Sequence, residues 1–279
     1  MMITVDQAVL QLRADPRMSN LVRDAYLDRD VISAGERFLN SAEFAEVRKL
    51  LACRWENATL VDLGAGTGIA SYAFALSGAR QVFAIEPDPS DEVGCGAISR
   101  LAHQLPIVII SAFGEHLPLT ENSVDIVYAR QVLHHIPNLT AALRECARIL
   151  KPGGLFFACR EHVISNDSQK QVFLRDHVMH QLAGNENAYT YAEYSQSIYE
   201  SGLHLEKVFH PWDTVINAFP EVRSTEEMEA IHQIWLTRKF GRIGAIVSSA
   251  PAMSKLVRLR FNHRNRPGRL YSFLAIKPD

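Results

Sequence analysis

Residues 59–70, TLVDLGAGTGIA, constrain this chain more than any other stretch. A short apolar run carrying an acid near its end leads straight into Gly64-Ala65-Gly66-Thr67-Gly68, which describes a strand, a tight turn and the start of a helix. Glycines let the backbone approach a ligand closely, and the free amides at the following helix N-terminus favour a negative group. A turn of this kind is built to hold a small molecule at the end of a strand.

The residues around the turn narrow the kind of molecule. A dinucleotide-binding fingerprint places a third glycine where this chain has Ile69, which argues against a nicotinamide-dependent oxidoreductase. Asp62, two residues before the first glycine, would repel a pyrophosphate but suits a ligand with an ammonium group beside its carboxylate. A second apolar run, residues 81–85, ends in Glu86, about 20 residues beyond the glycines, where an acid can accept hydrogen bonds from both hydroxyls of a ribose. S-adenosylmethionine carries all of these groups.

From Thr59 onward the chain alternates strand and helix. Strands are expected at residues 59–63, 81–85, 107–111, 124–128 and 154–159, with helices near 69–77, 95–104 and 140–150. That rhythm demands a Rossmann-like, doubly wound α/β fold: a mostly parallel seven-stranded sheet with helices on both faces. Residues 1–58 carry Val9, Leu12, Phe44, Val47, Leu50 and Leu51 at helix-like intervals, broken at Asp15-Pro16, and read as a helical N-terminal cap. The cofactor-binding core is then expected over 59–210, a basic and mainly helical insertion over 211–268, and a final core strand within 269–279.

With 279 residues, 47% of them hydrophobic, and a net charge of only -2, the chain can bury a full core and is not disordered. It opens with no basic segment ahead of a long apolar stretch, and a cytoplasmic location is expected. Cys53, Cys95, Cys146 and Cys159 lack paired spacing, so reduced thiols are expected rather than a zinc site or a disulfide framework.

The middle of the chain points to a family. GEHLPLTENSVDIVYARQVLHHIPN followed by LTAALRECARILKPGGLFFA, taken with VDLGAGTG and Ile85-Glu86-Pro87, resembles the class I S-adenosylmethionine-dependent methyltransferases of the type 11 branch, in unbroken order from about residue 59 to 159. Similarity further along, through REHVIS, ENAYT and WDTVINAFP, resembles an uncharacterised subgroup, some members of which look linked to surface-glycan genes. The resemblance implies S-adenosyl-L-methionine as cofactor and S-adenosyl-L-homocysteine as product. It makes Asp62, Gly64, Ala65, Gly66 and Gly68 the turn around the methionine half, Glu86 the ribose acceptor and Pro87 an apolar contact near adenine. Phe113 stands where such families often place an Asp or Ser to receive the adenine amine; it can stack but not accept, which leaves adenine to the backbone around Gly114 and Glu115. Arg130 and Gln131 follow a strand end that faces the ligand crevice, where the family places methionine or substrate contacts, although a surface ion pair explains Arg130 equally well.

Methyl transfer is an in-line displacement that needs alignment of two reactants and, for a hydroxyl acceptor, removal of one proton. Arg160, Glu161 and His162 cluster at the expected tip of the strand ending at Cys159, and His162 or Glu161 could take that proton, with Arg160 contacting substrate. His134 and His135 are further candidates for the base, although packing or hydrogen bonding is the commoner role for such a pair. Downstream, His177 and His180 fall on one face of a segment that can be helical. With Glu161 and His162 they could bind a divalent ion, but spacing alone does not make a site, so no metal is expected and both histidines read as substrate contacts. Tyr189 is a candidate to stack on a sugar, and packing is the default for its neighbours Tyr191 and Tyr194.

Charge is the best clue to the acceptor. From Ala230 to Pro278 there is no Asp or Glu but ten Lys and Arg, so the rest of the chain apart from Asp279 carries 19 positive against 30 negative groups. A basic lobe over the acceptor site suits a small or lipid-linked anionic acceptor, such as a glycan precursor methylated on oxygen. MSKLVRLRF, residues 253–261, could also lie on a membrane surface, though packing of Leu256, Val257 and Leu259 in the lobe is favoured. Nucleic acid is not expected, because the basic residues lack interleaved aromatics. The rival from another class is a cofactor-binding regulatory or scaffold subunit that does not turn over.

Overall fold

The computed structural model describes residues 2–52, 54–184, 186–247 and 251–279. Cys53, whose thiol was expected to be reduced, lies outside the described residues; Cys95, Cys146 and Cys159 are free thiols, the last two buried.

The N-terminal segment forms four short helices, α1 (Val5–Ala14), α2 (Ser19–Asp24), α3 (Val31–Leu39) and α4 (Ala42–Leu50). Each of the three longer ones starts at a side chain that satisfies an orphan amide: Thr4 in a capping box with Gln7, Asp30 on Ser33, and Ser41 on Phe44. The α/β part follows as β1 (Thr59–Leu63), α5 (Ile69–Leu76), β2 (Gln81–Ile85), α6 (Cys95–Leu101), β3 (Ile107–Ile110), β4 (Val124–Arg130), α7 (Leu139–Ile149) and β5 (Leu150–Ile164). Then come α8 (Asp167–Asp176), α9 (Val178–Ala183), β6 (Tyr189–Thr190), α10 (Tyr191–Glu200) and β7 (His204–Phe209). The segment between β7 and the last strand holds α11 (Val215–Ala218), α12 (Thr225–Val247, broken at Gly241) and α13 (Pro251–Asn262) before β8 (Arg269–Ile276).

The sheet runs β3-β2-β1-β4-β5-β8-β7, the doubly wound α/β arrangement, with β8 antiparallel between β5 and β7. These seven strands match the expected number; the two-residue β6, paired to the end of β5, was not anticipated. One face is covered by α7 and α10 around Leu143, Cys146, Tyr194 and Ile198, the other by α3, α4 and α5 around Phe38, Phe44 and Phe74. Both faces being covered, the central strands are buried nearly throughout rather than on alternate residues, as parallel strands must be.

One correction bears directly on the site. The strand expected to end at Cys159 continues to Ile164 as β5, so Arg160, Glu161 and His162 lie within a strand instead of at its tip. The polar run resembled a loop because a buried strand rarely carries three such residues. It is accommodated by a bulge: Arg160 sits at φ 61, and the pairing with β8 shifts register between Ala158 and Glu161.

The basic lobe has its own small core, in which Trp212, Val215, Val222, Met228, Leu236, Val257 and Phe261 pack together. Of the three apolar residues weighed for α13, Val257 is buried in that core, whereas Leu256 and Leu259 face outward. No helix among the described residues is long and apolar enough to cross a membrane.

Candidate cofactor and acceptor site

The glycine turn joins β1 to α5. Gly64, Gly66 and Gly68 all hold positive φ, at 63, 56 and 85°, where a side chain is strained. Their surroundings differ in a telling way. A Cβ on Gly64 would run into the Val132 side chain at 2.1 Å, so this glycine lets the loop after β4 close onto the turn. A Cβ on Gly66 would meet nothing within 4 Å and would project into open space. The turn therefore presents bare backbone to a crevice. The Ala65 side chain is buried against Ala84 and Ile98, packing the turn onto the sheet.

Glu86 stands at the end of β2, largely buried. Its Oε2 accepts from the Gly66 amide at 2.8 Å and its Oε1 from the Asp88 amide at 2.9 Å. A carboxylate offers about four acceptor directions, so two remain for a ligand. Burial raises its pKa, against which the two amides favour the charged form. Phe113, past the end of β3, is 68% exposed and offers a ring face, while Gly114 is packed against Ile136 and Leu63. Pro87 adjoins Glu86 and Glu115 follows Gly114 in the same crescent of strand ends. An open glycine backbone, a carboxylate with spare acceptors and an exposed ring are what an adenosyl group with an amino-acid tail would use. The residues present fit S-adenosylmethionine.

Three of the expected cofactor contacts have other work in the structure. Asp62 is buried, and its Oδ2 accepts from the Ser71 amide at 2.9 Å and the Ser71 hydroxyl at 2.6 Å, tying β1 to α5. Burial, only partly offset by Ser71, pushes its pKa up to about 6. Arg130 is not a surface ion pair: its guanidinium forks onto buried Glu43 of α4, at 2.7 and 3.0 Å, and lies over the rings of Tyr26 and Phe38. Gln131, at φ 53, bonds its amide to Cys159 and takes its side-chain oxygen to Arg130 at 3.3 Å. Together these groups lock the helical cap to the strand ends that the cofactor would meet. Glu43 was invisible from the sequence, where an acid on an amphipathic helix reads as part of a solvated face.

The proposed acceptor residues sort similarly. Glu161 is fully buried and accepts from the amides of Val132, Leu133 and His134 at 3.1–3.2 Å, and from His134 Nδ1 at 2.7 Å. With its oxygens filled it positions the loop after β4; it is not placed as a base. Arg160 is buried, donating to the carbonyls of Ile216 and Phe219, so it anchors α11 instead of contacting substrate. Tyr189 donates to the Ile136 carbonyl at 2.7 Å and packs on Tyr194, which makes it a strut for the same loop. His134 is buried between Glu161 and Glu186; burial alone would lower its pKa, but the two carboxylates win and raise it to about 9. His135 is part-exposed beside it, with ring centroids 4.2 Å apart. His177 sits at the junction of α8 and α9 facing Glu186, with His180 one turn on in α9.

His162 lines a cleft of its own. Its Nδ1 donates to the Gly268 carbonyl at 2.8 Å, which leaves Nε2 as the acceptor nitrogen. Burial, with His134 nearby, holds its pKa well below the usual range, so the ring is neutral. It lines a cleft of about 260 Å³ whose walls include Trp212, Phe219 and Phe261 and whose rim carries Arg264, Arg266 and Arg269.

Residues 61–158 match a family model described as a methyltransferase domain. Over these residues the chain is similar to a methyltransferase domain. Among curated relatives, an uncharacterized methyltransferase from Mycobacteroides abscessus is 34% identical over 131 residues, covering 44% of this chain and 50% of the relative. The match thus spans about half the length of that relative. In solved structures, an S-adenosylmethionine-dependent methyltransferase from Mesorhizobium loti shares 18% identity over 85% of this chain and 98% of its own, with a TM-score of 0.56. The [4+2]-cyclase SpnF shares 18% identity over 84% of this chain and 80% of its own, with a TM-score of 0.53. At such identities the likeness is one of fold, the Rossmann-like architecture on which these methyltransferases are built. The same architecture in a cyclase shows that the acceptor side must be argued from its own residues.

Glu86 gives a direct test of the cofactor side. Glu86→Ala is expected to weaken S-adenosylmethionine binding by about 1.5–3 kcal/mol, roughly 10- to 150-fold, as loss of hydrogen bonds to a charged acceptor would. Calorimetric titration of the purified variant measures this, and an unchanged affinity would remove Glu86 from the ribose site.

Proposed function

We propose that this protein is an S-adenosylmethionine-dependent methyltransferase acting on a small or lipid-linked anionic acceptor, at oxygen, with a glycan precursor as the favoured class. The observation that carries the reading is the position of His162, a neutral imidazole lining an aromatic cleft with an arginine rim. Bound at the glycine turn, S-adenosylmethionine would supply an electrophilic methyl group on a sulfonium. Glu86 and the backbone of Gly64 and Gly66 would hold it, with Phe113 against its adenine.

On the acceptor side, Trp212, Phe219 and Phe261 give apolar surface that excludes water, while Arg264, Arg266 and Arg269 favour an anionic group at the rim. His162 Nε2 would take the hydroxyl proton as the oxygen loses it, and the Gly268 carbonyl steadies the ring through Nδ1. The outward-facing Leu256 and Leu259 beside Lys255, Arg258 and Arg260 suit contact with an anionic lipid surface, which is where a lipid-linked acceptor would be met.

His162→Ala is expected to lower turnover by about 10²-fold or more, the scale of a lost general base, with cofactor affinity little changed. If both quantities fall together, or neither does, His162 has no acceptor-side role. The function itself is tested by transfer of label from methyl-labelled S-adenosylmethionine into an extract of the source cells, partitioned between aqueous and organic phases, with Glu86→Ala as control. Label gained in either phase and lost with the variant establishes the enzyme and divides sugar-like from lipid acceptors. Cofactor binding with no transfer would favour the non-catalytic subunit.

A further inference from the structure

Behind His162 lies a second constellation that methyl transfer does not use. His134 and His135 form a single 3-10 turn after β4, and Glu186 reaches the same point from the loop between α9 and β6. One ligand atom from each of the three falls within 4.8 Å of the others. The detailed distances matter more than the grouping. Glu186 Oε2 is 3.6 Å from His134 Nε2 and 3.8 Å from His135 Nε2, and Glu186 Oε1 is 3.7 Å from His177 Nδ1. These are too long for hydrogen bonds, which close to about 2.7–3.2 Å. They are near the separation of about 3.3–3.4 Å that two ligands keep when each lies about 2.0–2.1 Å from one tetrahedral ion.

The cluster also contains buried polar atoms with nothing to bond to. The Glu186 side chain is only 7% exposed, yet its Oε2 has no hydrogen-bond partner among the described residues, and neither does His177 Nδ1. A carboxylate oxygen left in this state is costly unless something else satisfies it. Glu161 supplies what a ligating histidine needs on its far side. By accepting the Nδ1 proton of His134 at 2.7 Å it fixes the ring so that Nε2 faces Glu186, and an ion bound there would displace the Nε2 proton and take its lone pair. The three amides that Glu161 also accepts hold both the carboxylate and the histidine-bearing loop in place.

We propose that His134 Nε2, His135 Nε2 and a Glu186 carboxylate oxygen form a binding site for a divalent first-row transition metal, with His177 on the second Glu186 oxygen. Two imidazoles and one carboxylate suit zinc or ferrous iron, and disfavour magnesium and calcium, which prefer all-oxygen sets. Three protein ligands leave a coordination position open. The charge balances as well: a dication faces one ligating carboxylate and the carboxylate of Glu161 behind His134. His162 packs edge-on against the rings of both His134 and His177, with centroids 4.8 and 5.6 Å away, so the site adjoins the wall of the acceptor cleft. The proposal stands apart from the methyl-transfer reading, because metal binding is measured without turnover.

The test uses full-length, untagged protein, stripped with a chelator and titrated with Zn²⁺ by calorimetry, then with Co²⁺ by visible absorption. One tight equivalent per chain and a cobalt spectrum of low coordination number are expected. Glu186→Gln, which keeps the shape of the side chain, and His135→Ala, at a part-exposed position, should each weaken binding at least tenfold. His204→Ala, at an exposed histidine on β7, should not. Circular dichroism checks that the variants fold; if Glu186→Gln does not, His135→Ala carries the test. Absence of a stoichiometric site, or wild-type affinity in the folded variants, would overturn the proposal, as would weak binding that His204→Ala reduces equally.

Discussion

Replacing Glu43 by Gln is expected to cost about 3–5 kcal/mol of stability, the scale for breaking a buried ion pair by neutralising one partner. The carboxylate is fully enclosed where α4 meets the end of β4 and the bulge in β5, forked by Arg130 and 4.0 Å from the Nε of Arg160. Both guanidiniums are themselves buried, and Arg160 Nε has no hydrogen-bond partner among the described residues. A neutral amide at position 43 would leave two buried cations facing no anion. Adding Arg130→Met to Glu43→Gln should recover part of the loss, because the second change removes one of the stranded charges while keeping contact with Tyr26 and Phe38. Equilibrium unfolding in urea measures both steps.

The same pair sets a pH dependence whose sign is fixed. Burial alone would raise the Glu43 pKa, but Arg130 and then Arg160 outweigh it and hold the carboxyl below its ordinary value of 4.5. A group depressed on folding adds stability that is fully present above its unfolded pKa and is lost as pH falls through the folded one. The wild-type chain should therefore lose stability on acidification below about pH 4.5 more steeply than Glu43→Gln, whose curve lacks this group. Parallel curves for the two proteins would show that Glu43 is not charged in the folded state.

What could be read from the sequence follows from where each signal resides. Strands and glycine turns are local: β1 is five apolar-flanked residues followed by three glycines, and its ligand-facing end follows from that order alone. The acids and bases that do the bracing are not local. Glu43 and Arg130 are 87 residues apart, and nothing in AEFAEVRKL separates its buried glutamate from a solvated one. Glu161 was read as a catalytic candidate because its partners are backbone amides, which leave no mark in a side-chain pattern. Glu186 was missed because GNEN is a short polar run that reads as a loop, while its meaning comes from histidines on a turn some 50 residues earlier. The bulge at Arg160 hid the last third of β5, since a positive φ at an arginine is legible only in the folded chain. In each case the missing information was a tertiary contact, which propensity and period do not encode.

Glu161→Ala is expected to be at least as damaging as the change at Glu43, for a reason that joins the two halves of the site. It would leave the amides of Val132, Leu133 and His134 and the Nδ1 of His134 without their acceptor in a buried setting. Each unsatisfied buried donor costs about 1–3 kcal/mol, and partial entry of water would hold the total to about 3–6 kcal/mol. The loop concerned is not an isolated feature. Val132 lies directly over Gly64, so the segment that Glu161 fixes forms the back wall of the cofactor turn, while His134 at its other end carries the nitrogen that faces Glu186. Loosening the loop should therefore weaken S-adenosylmethionine binding and Zn²⁺ binding in the same variant, although Glu161 is proposed to touch neither ligand. Thermal unfolding and the two titrations distinguish this from a local role. If Glu161→Ala unfolds normally and loses only one of the two affinities, the loop does not couple the sites, and Glu161 serves just the side that was lost.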